Sequence, residues 1–511
     1  MSKLEKSIKN ARVAFAFYFV TLVVSFVSRK VFIDTLGTEL VGLSSTMLNI
    51  LGFLNLAELG IYTAVSYSLY KPLVDKDTNE ISRVVSLFGF LYRWVGMFIL
   101  ICGIIVSFFL PLIFGKSGLS WPVLFGSYFT FLFLTLFSYF NNYRQILLTA
   151  DQKGYVVTRI TNYMTILKVV LQMIYLLYLH GSYYGWLIIE LAFGLITRWW
   201  TNWKVMKEYP WLITDLKAGK KLLKEYPDVI RNIKNLFAHK IAEFILFQTD
   251  QILIYAFTTL TVVTYYTNYT MIIKRITTLI SSTLGSNLAA VGHIIAENDP
   301  DKTRKVFTEY NALFFFIAGV FAFVLYFITD PFISLWLGRE FVLPKLIFLL
   351  ILAEAYITIT RQAVMFYIAG YCLYKDVWAA WAEALLNIGI SIVVGYYTGL
   401  LGVVLGTFVS SIIIVCLWKP YFLFREGFKT SVFHYWKEVA VYILLFIVSS
   451  LVVWPVTKLL PPPESYGWLM LNASVIFSTF VLVYGILMFF AGPGTKGIVT
   501  RLSVKFLHKK K

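Results

Sequence analysis

The sequence predicts an all-α polytopic membrane protein with about fourteen transmembrane helices: two six-helix bundles related by a pseudo-two-fold along the membrane normal, plus two C-terminal helices. Three observations lead there. Hydrophobic residues make up 59% of the 511 and charged ones only 14%, against about a quarter charged in a soluble domain, so a soluble fold could not keep this much apolar surface from water. The apolar residues fall in blocks of about twenty, the length a helix needs to cross a hydrocarbon core of ~30 Å. Short motifs also recur at a near-constant offset, as in a duplicated bundle.

In chain order the spans read 12–33, 41–70, 84–110, 121–148, 156–179, 184–203, 238–258, 263–292, 306–329, 346–369, 377–396, 400–418, 438–457 and 467–491. They are apolar on all sides and too long for the ~10-residue alternating strands of a membrane barrel. In lipid the helix satisfies its own backbone groups, which makes it the spanning element. Lys3, Lys6, Lys9 and Arg12 precede the first run as they would in a signal peptide, but the run is long, ends in Ser28-Arg29-Lys30, and lacks a small-residue cleavage pattern, so it reads as a retained helix. Between spans six and seven, Leu216, Leu222, Leu223, Val229 and Ile233 stand among lysines, the pattern of an amphipathic interfacial helix. The domains follow: an N-terminal bundle at 1–203, a linker at 204–236, a C-terminal bundle at 237–424, two extra helices at 425–491 and a basic tail at 492–511.

Alternate connections carry 31 and 6 Lys plus Arg. The positive-inside rule puts the richer set, with both termini, in the cytoplasm. The formal net charge of +18 is then a topology signal, and attraction of basic loops to anionic lipid accounts for it without nucleic acid. Every outer connection is short, and the inner linker is too small for a catalytic domain. No Walker-type loop is present, since Gly492, Gly494 and Lys496 match only its composition. His180, His239, His293, His434 and His508 form no metal-ligand spacing. Cys102, Cys372 and Cys416 are isolated packing residues. These readings exclude an ATP motor and suggest no enzyme, metal or cofactor.

The repeat rests on four correspondences. Ile8-Lys9-Asn10 returns as Ile233-Lys234-Asn235, and Leu59-Gly60 as Leu284-Gly285, both at an offset of 225. Arg144-Gln145 and Arg361-Gln362 lie near the ends of spans four and ten, at an offset of 217. Asp75-Lys76-Asp77 and Asp299-Pro300-Asp301-Lys302 follow spans two and eight. Six helices per copy makes the repeat parallel, a plan on which two bundles face each other across a cleft for alternating access.

Charged residues fall inside the spans, where each costs ~2.5–3.5 kcal/mol at mid-helix on insertion scales. Arg198 and Arg93 lie near span ends and read as snorkelling. Helical spacing places Tyr18, Ser25 and Arg29 on one face; Thr161, Thr165, Lys168, Gln172 and Tyr175 on another; and Lys240, Glu243 and Asp250 on a third. Glu354, Thr358 and Arg361 share a face, as do Asn268 and Arg275, with Lys274 beside them. Structural pairing explains any single pair, such as Glu354 with Arg361. The excess of base over acid in spans five and eight points instead to a wet cleft for an anionic substrate, and Arg and Lys suit phosphate.

Three segments carry a family likeness: Ile8-Lys9-Asn10 opening the first helix, Asn55-Leu56-Ala57-Glu58-Leu59-Gly60 late in the second, and Gln248-Thr249-Asp250-Gln251-Ile252-Leu253-Ile254 in the seventh. With them the chain resembles, over its whole length, the polysaccharide and O-antigen flippases of the multidrug/oligosaccharidyl-lipid/polysaccharide exporter superfamily. The resemblance implies passage of an undecaprenyl-diphosphate-linked oligosaccharide between leaflets of the bacterial inner membrane. It also implies coupling to H+ or Na+, and contact with membrane lipids, a polysaccharide polymerase and a chain-length regulator. Under it, Arg29, Lys168, Lys240, Lys274, Arg275 and Arg361 are the candidates for diphosphate or acidic-sugar contact, and Glu58, Asp250 and Glu354 the coupling or cavity carboxylates. Rival readings are a lipid II flippase, a toxin-extrusion drug/cation antiporter, and a non-transport scaffold for envelope assembly. The antiporter fits less well, because span one has no carboxylate and that group has twelve helices.

Overall fold

The structure is a computed structural model, and it describes residues 3–55, 61–227, 229, 231, 233, 249–284, 287–373 and 375–508. Among these residues there is no β-strand, and nine helices are long and apolar enough to cross a membrane. The protein is a multi-pass membrane protein. Its chain divides into two compact units, 1–264 and 265–511.

In the first unit, span one is α1 (Lys3–Leu36) and span two is α2 (Thr38–Leu54) with α3 (Ile61–Asp75). Span three is α4 (Thr78–Phe114), span four α5 (Trp121–Asn141) with α6 (Gln145–Ala150), span five α7 (Gly154–Tyr178) and span six α8 (Tyr183–Glu208). The linker folds back as a short α9 (Gly219–Glu225), and span seven is described over α10 (Asp250–Phe257). α11 (Leu260–Leu284) carries the division between units and continues span eight with α12 (Asn287–Ala296). The second unit holds α13 (Pro300–Trp336), α14 (Lys345–Thr360), α15 (Gln362–Gly370), α16 (Val377–Thr398), α17 (Leu400–Phe428), α18 (Phe433–Leu459), α19 (Tyr466–Ala491) and α20 (Thr495–His508).

Every span read from hydropathy has a helix, and the repeat is visible in local backbone features. Asp77 accepts hydrogen bonds from Asn79 and Glu80 N–H at the start of α4, and Asp299 accepts from Lys302 N–H at the start of α13. Each aspartate neutralises orphan amides at a helix N-terminus. A left-handed residue precedes each cap, Lys76 and Asn298, and each cap opens a 37-residue helix with a proline near its end, Pro111 and Pro331. Left-handed Gln152 follows α6 as Cys372 follows α15. Arg144 and Arg361 stand at equivalent junctions, between α5 and α6 and between α14 and α15.

Packing follows the side chains. On α17, Gly402 and Gly406 form a small-xxx-small pair against α16: a Cβ at Gly402 would lie 2.2 Å from Gly395 N, and one at Gly406 2.1 Å from Ser391 Oγ. Close backbone approach is how helices associate in lipid, where burial of apolar surface supplies little force. The last two spans use aromatic rings instead. Phe323 on α13 stacks on Phe480 of α19 with ring centres 4.1 Å apart, and Phe315 stacks on Tyr442 of α18 at 4.8 Å. Tyr484 donates to the Phe315 carbonyl (3.3 Å) and Tyr442 to the Pro493 carbonyl (2.8 Å), so buried hydroxyls are satisfied. α18 and α19 are thus built into the second unit's core.

The linker is held on the first unit rather than forming one amphipathic helix along 204–236. Thr214 Oγ1 accepts from Arg144 (2.9 Å), Ser86 Oγ accepts from Asp215 N–H (3.0 Å), and Gly219 lies against the Phe90 ring where a Cβ would not fit. Leu222 and Val229 are buried.

Candidate functional site

Of the six basic candidates, Lys240 lies outside the described residues, as does Glu58 among the carboxylates. Lys168 on α7 reaches Glu190 on α8, Nζ to Oε1 2.6 Å, and Gln172 donates to the other carboxylate oxygen (3.1 Å). The i, i+4 pair Lys168 and Gln172 shares a face as expected, and that face closes on a carboxylate of its own unit. Arg29 is partly buried in α1, a helix packed against α7. In α11, Lys274 is exposed and Arg275 half-buried. Asp250 opens α10, and its neighbour Gln251 accepts a hydrogen bond from Asn49 on α2.

The second unit gathers the clearest constellation. Glu354, nearly two turns before the end of α14, accepts from Ser411 Oγ on α17 (3.1 Å). Arg361 sits at the junction of α14 and α15, half-buried, and its guanidinium makes no hydrogen bond or ion pair among the described residues. Glu383 on α16 is within electrostatic reach of it. The next basic group, Lys419, is already committed to Asp376 at 2.6 Å. Among the described residues Arg361 therefore has no counter-ion in contact.

It lines a cavity of about 630 Å³ between α13, α14, α17 and α18. Most of the wall is apolar, with Phe323, Leu352, Ile412, Val439, Phe446 and Trp454 representing the four helices. The polar side chains on the wall include Thr360, Ser450, Arg361 and the tyrosines Tyr326, Tyr356 and Tyr435. Such a chamber can take a hydrocarbon chain and present one cation to an anionic group attached to it. The sequence named Arg361 but not this wall, because the wall draws on α18, a helix outside the repeat.

A second cavity, about 300 Å³, lies in the first unit and is polar. It surrounds the junction of α5 and α6, where Asn142, Gln145 and Arg198 meet Asn55. Arg198, read from sequence as snorkelling, is part of this wall. The available signal was Asn141-Asn142, two amides interrupting span four.

No protein-family model matches the sequence, and no curated protein matches it. Solved structures do match. The lipid II flippase MurJ, in an inward closed conformation, aligns with a TM-score of 0.63 at 15% identity, covering 94% of this chain and 98% of that one. The inward-facing form of a multidrug resistance MATE family transporter of the MOP superfamily aligns at 0.58 and 15% identity, over 79% of this chain and 93% of that one. An outward-facing form aligns at 0.51 and 14%, over 82% and 96%. The chain has the MurJ and MATE fold. The fold is all-helical among the described residues, and the solved structures that share it are those of a lipid II flippase and multidrug resistance transporters. At such identities the likeness carries the fold, and the chemistry has to come from the side chains above.

Proposed function

We propose that this protein is a flippase that moves a polyprenyl-diphosphate-linked oligosaccharide, an O-antigen or other surface polysaccharide unit, from the cytoplasmic to the outer leaflet of a bacterial inner membrane. The observation that carries the reading is the apolar cavity ended by Arg361. A prenyl chain needs an apolar wall, and its diphosphate needs a cation with no competing acid in contact. Arg361 is placed to engage two phosphate oxygens at once. A diphosphate crossing unaccompanied would meet the full cost of desolvation, which paired charge offsets.

In this reading the repeated six-span plan supports alternating access, both termini are cytoplasmic, and a proton or sodium gradient drives the cycle. Arg29, Lys274 and Arg275 are further contacts for the head group, and Asp250 and Glu354 serve coupling. Lys168 is the weaker member of the set, since Glu190 already neutralises it. The polymerase and chain-length regulator remain proposed partners. A lipid II substrate is the second reading, favoured by the likeness to MurJ over nearly the whole of both chains.

The test is reconstitution in vesicles with a fluorescent polyprenyl-diphosphate oligosaccharide in the inner leaflet. Protein-dependent exposure on the other leaflet is expected, and no acceleration over empty vesicles would refute the proposal. A lipid II analogue in parallel separates the two readings by relative rate.

A further inference from the structure

The polar cavity of the first unit lies far in sequence from the chamber at Arg361 and is made differently. Span four does not run through as one helix. α5 ends at Asn141, and α6 starts at Gln145 after hydrogen bonds of the i, i+3 kind from Gln145 N–H to Asn142 O (3.0 Å) and from Ile146 N–H to Tyr143 O (3.4 Å). A broken span inside a membrane protein is tolerated where it lines a polar space. Here that space is the cavity of about 300 Å³.

Its donors and acceptors are only partly used. Asn142 is 9% exposed, and its Oδ1 has no hydrogen-bond partner among the described residues. The Gln145 side-chain amide makes no hydrogen bond among the described residues. Asn55 Oδ1 accepts from Tyr139 (3.2 Å), whose ring packs beside that of Tyr92 with centres 5.2 Å apart. Arg198 supplies the charge. Its Nη1 donates to the Gly194 carbonyl at 2.9 Å, and no carboxylate comes within ion-pair distance among the described residues. Glu190 is within electrostatic reach, but Lys168 and Gln172 already occupy its two oxygens.

We propose that this cavity is a binding subsite for a sugar bearing a carboxylate, free or as the acidic residue of a glycolipid head group. Amides and tyrosines around one guanidinium match the chemistry of such a ligand: hydroxyls that both donate and accept, a ring that packs on an aromatic face, and one anionic group for the arginine. Water filling the space would satisfy Asn142 and Gln145, but it would bring no counter-charge to Arg198. A neutral sugar would leave Arg198 without a counter-ion in contact among the described residues. The size suits one sugar residue rather than a chain. This reading stands on the first unit alone and does not depend on what the second unit's cavity holds.

The experiment is titration of the full-length protein in detergent, by calorimetry and by ligand-induced shift of the melting temperature. The probes are sodium glucuronate, octyl glucuronide, glucose and inorganic phosphate. Glucuronate or its octyl glycoside is expected to bind at least ten-fold tighter than glucose. Binding of both supports a free or lipid-borne sugar acid, and binding of octyl glucuronide alone supports the lipid-borne form. Arg198→Gln should lose about 10- to 150-fold in affinity, the range for a charge-assisted hydrogen bond, and Arg198→Lys should recover part of it. Thr135, on α5, also lines this cavity; Thr135→Leu, which adds bulk to the wall and leaves Arg198 in place, should abolish binding and keeps the proposal testable if the arginine variants fail to fold. Equal affinity for glucose or for phosphate, or glucuronate binding that survives Thr135→Leu, would overturn the assignment.

Discussion

Replacing Arg361 by Gln separates function from stability, because among the described residues this side chain has no contact partner and only its longer-range attraction to Glu383 is lost. Its guanidinium makes no hydrogen bond or ion pair among the described residues, so its removal strands no buried carboxylate in contact. With only that longer-range attraction lost, the expected change in stability is under about 1 kcal/mol. A diphosphate held by the arginine through charge-assisted hydrogen bonds loses far more, about 1.5–3 kcal/mol, or roughly 10- to 150-fold in affinity at 1.4 kcal/mol per decade. The assay is initial flipping rate against substrate concentration, normalised to folded protein recovered in vesicles, with melting temperature measured on the same preparations. Arg361→Lys keeps the charge without the two-oxygen fork and should fall between. A wild-type rate in Arg361→Gln at subsaturating substrate would refute the reasoning, since an apolar chamber without its cation offers nothing to a diphosphate. A matching loss of rate and melting temperature would refute it too, by making the residue structural.

Lys168→Met should do the reverse, leaving Glu190 short of its cation in a low-dielectric setting at a cost of about 3 kcal/mol; the double variant Lys168→Met/Glu190→Met should recover most of that in a thermal melt, and a fully destabilised double variant would contradict the pairing. Gly402→Val places side-chain atoms where Gly395 N stands 2.2 Å from an added Cβ, so α16 and α17 must part; a loss of about 3 kcal/mol or failure to fold is expected, read as lost monodisperse protein on size exclusion. Outside the spans, the hydrogen bond from Lys153 holds the Glu208 carboxyl below its ordinary range. The contribution is therefore full above the unfolded carboxylate value of about 4.3 and is lost as pH falls through the lower folded value. Because the pair is a third exposed, the effect is under about 1 kcal/mol, and Glu208→Gln should lower the pH 7 plateau of the melting curve by that small amount and flatten its acid limb, so that the two proteins converge at low pH.

What the sequence made legible follows from which interactions are local. Span positions, caps and repeat are properties of one helix at a time. Twenty apolar residues suffice for the first, an aspartate before α4 or α13 for the second, and paired motifs for the third. The fate of a cation is not local. Lys168 and Arg361 look alike from sequence, each on a polar stripe at helical spacing, yet one meets Glu190 across a helix pair and the other faces an apolar chamber. A stripe gives a side chain's direction relative to its own axis and carries no information on what the neighbouring helix presents there. Arg198 shows the same limit from the other side. Its place near the end of span six made snorkelling the economical reading, and only the break after Asn141, on a different helix, turns that position into the wall of a polar cavity. The informative pattern was the coincidence of breaks rather than any one charge. Arg144-Gln145 and Arg361-Gln362 mark equivalent junctions in the two copies, and both junctions border a cavity. In lipid a helix is interrupted only where the freed polar groups find company, so a repeated interruption is a stronger pointer to a site than a stranded charge, and it can be sought in sequence before any fold is known.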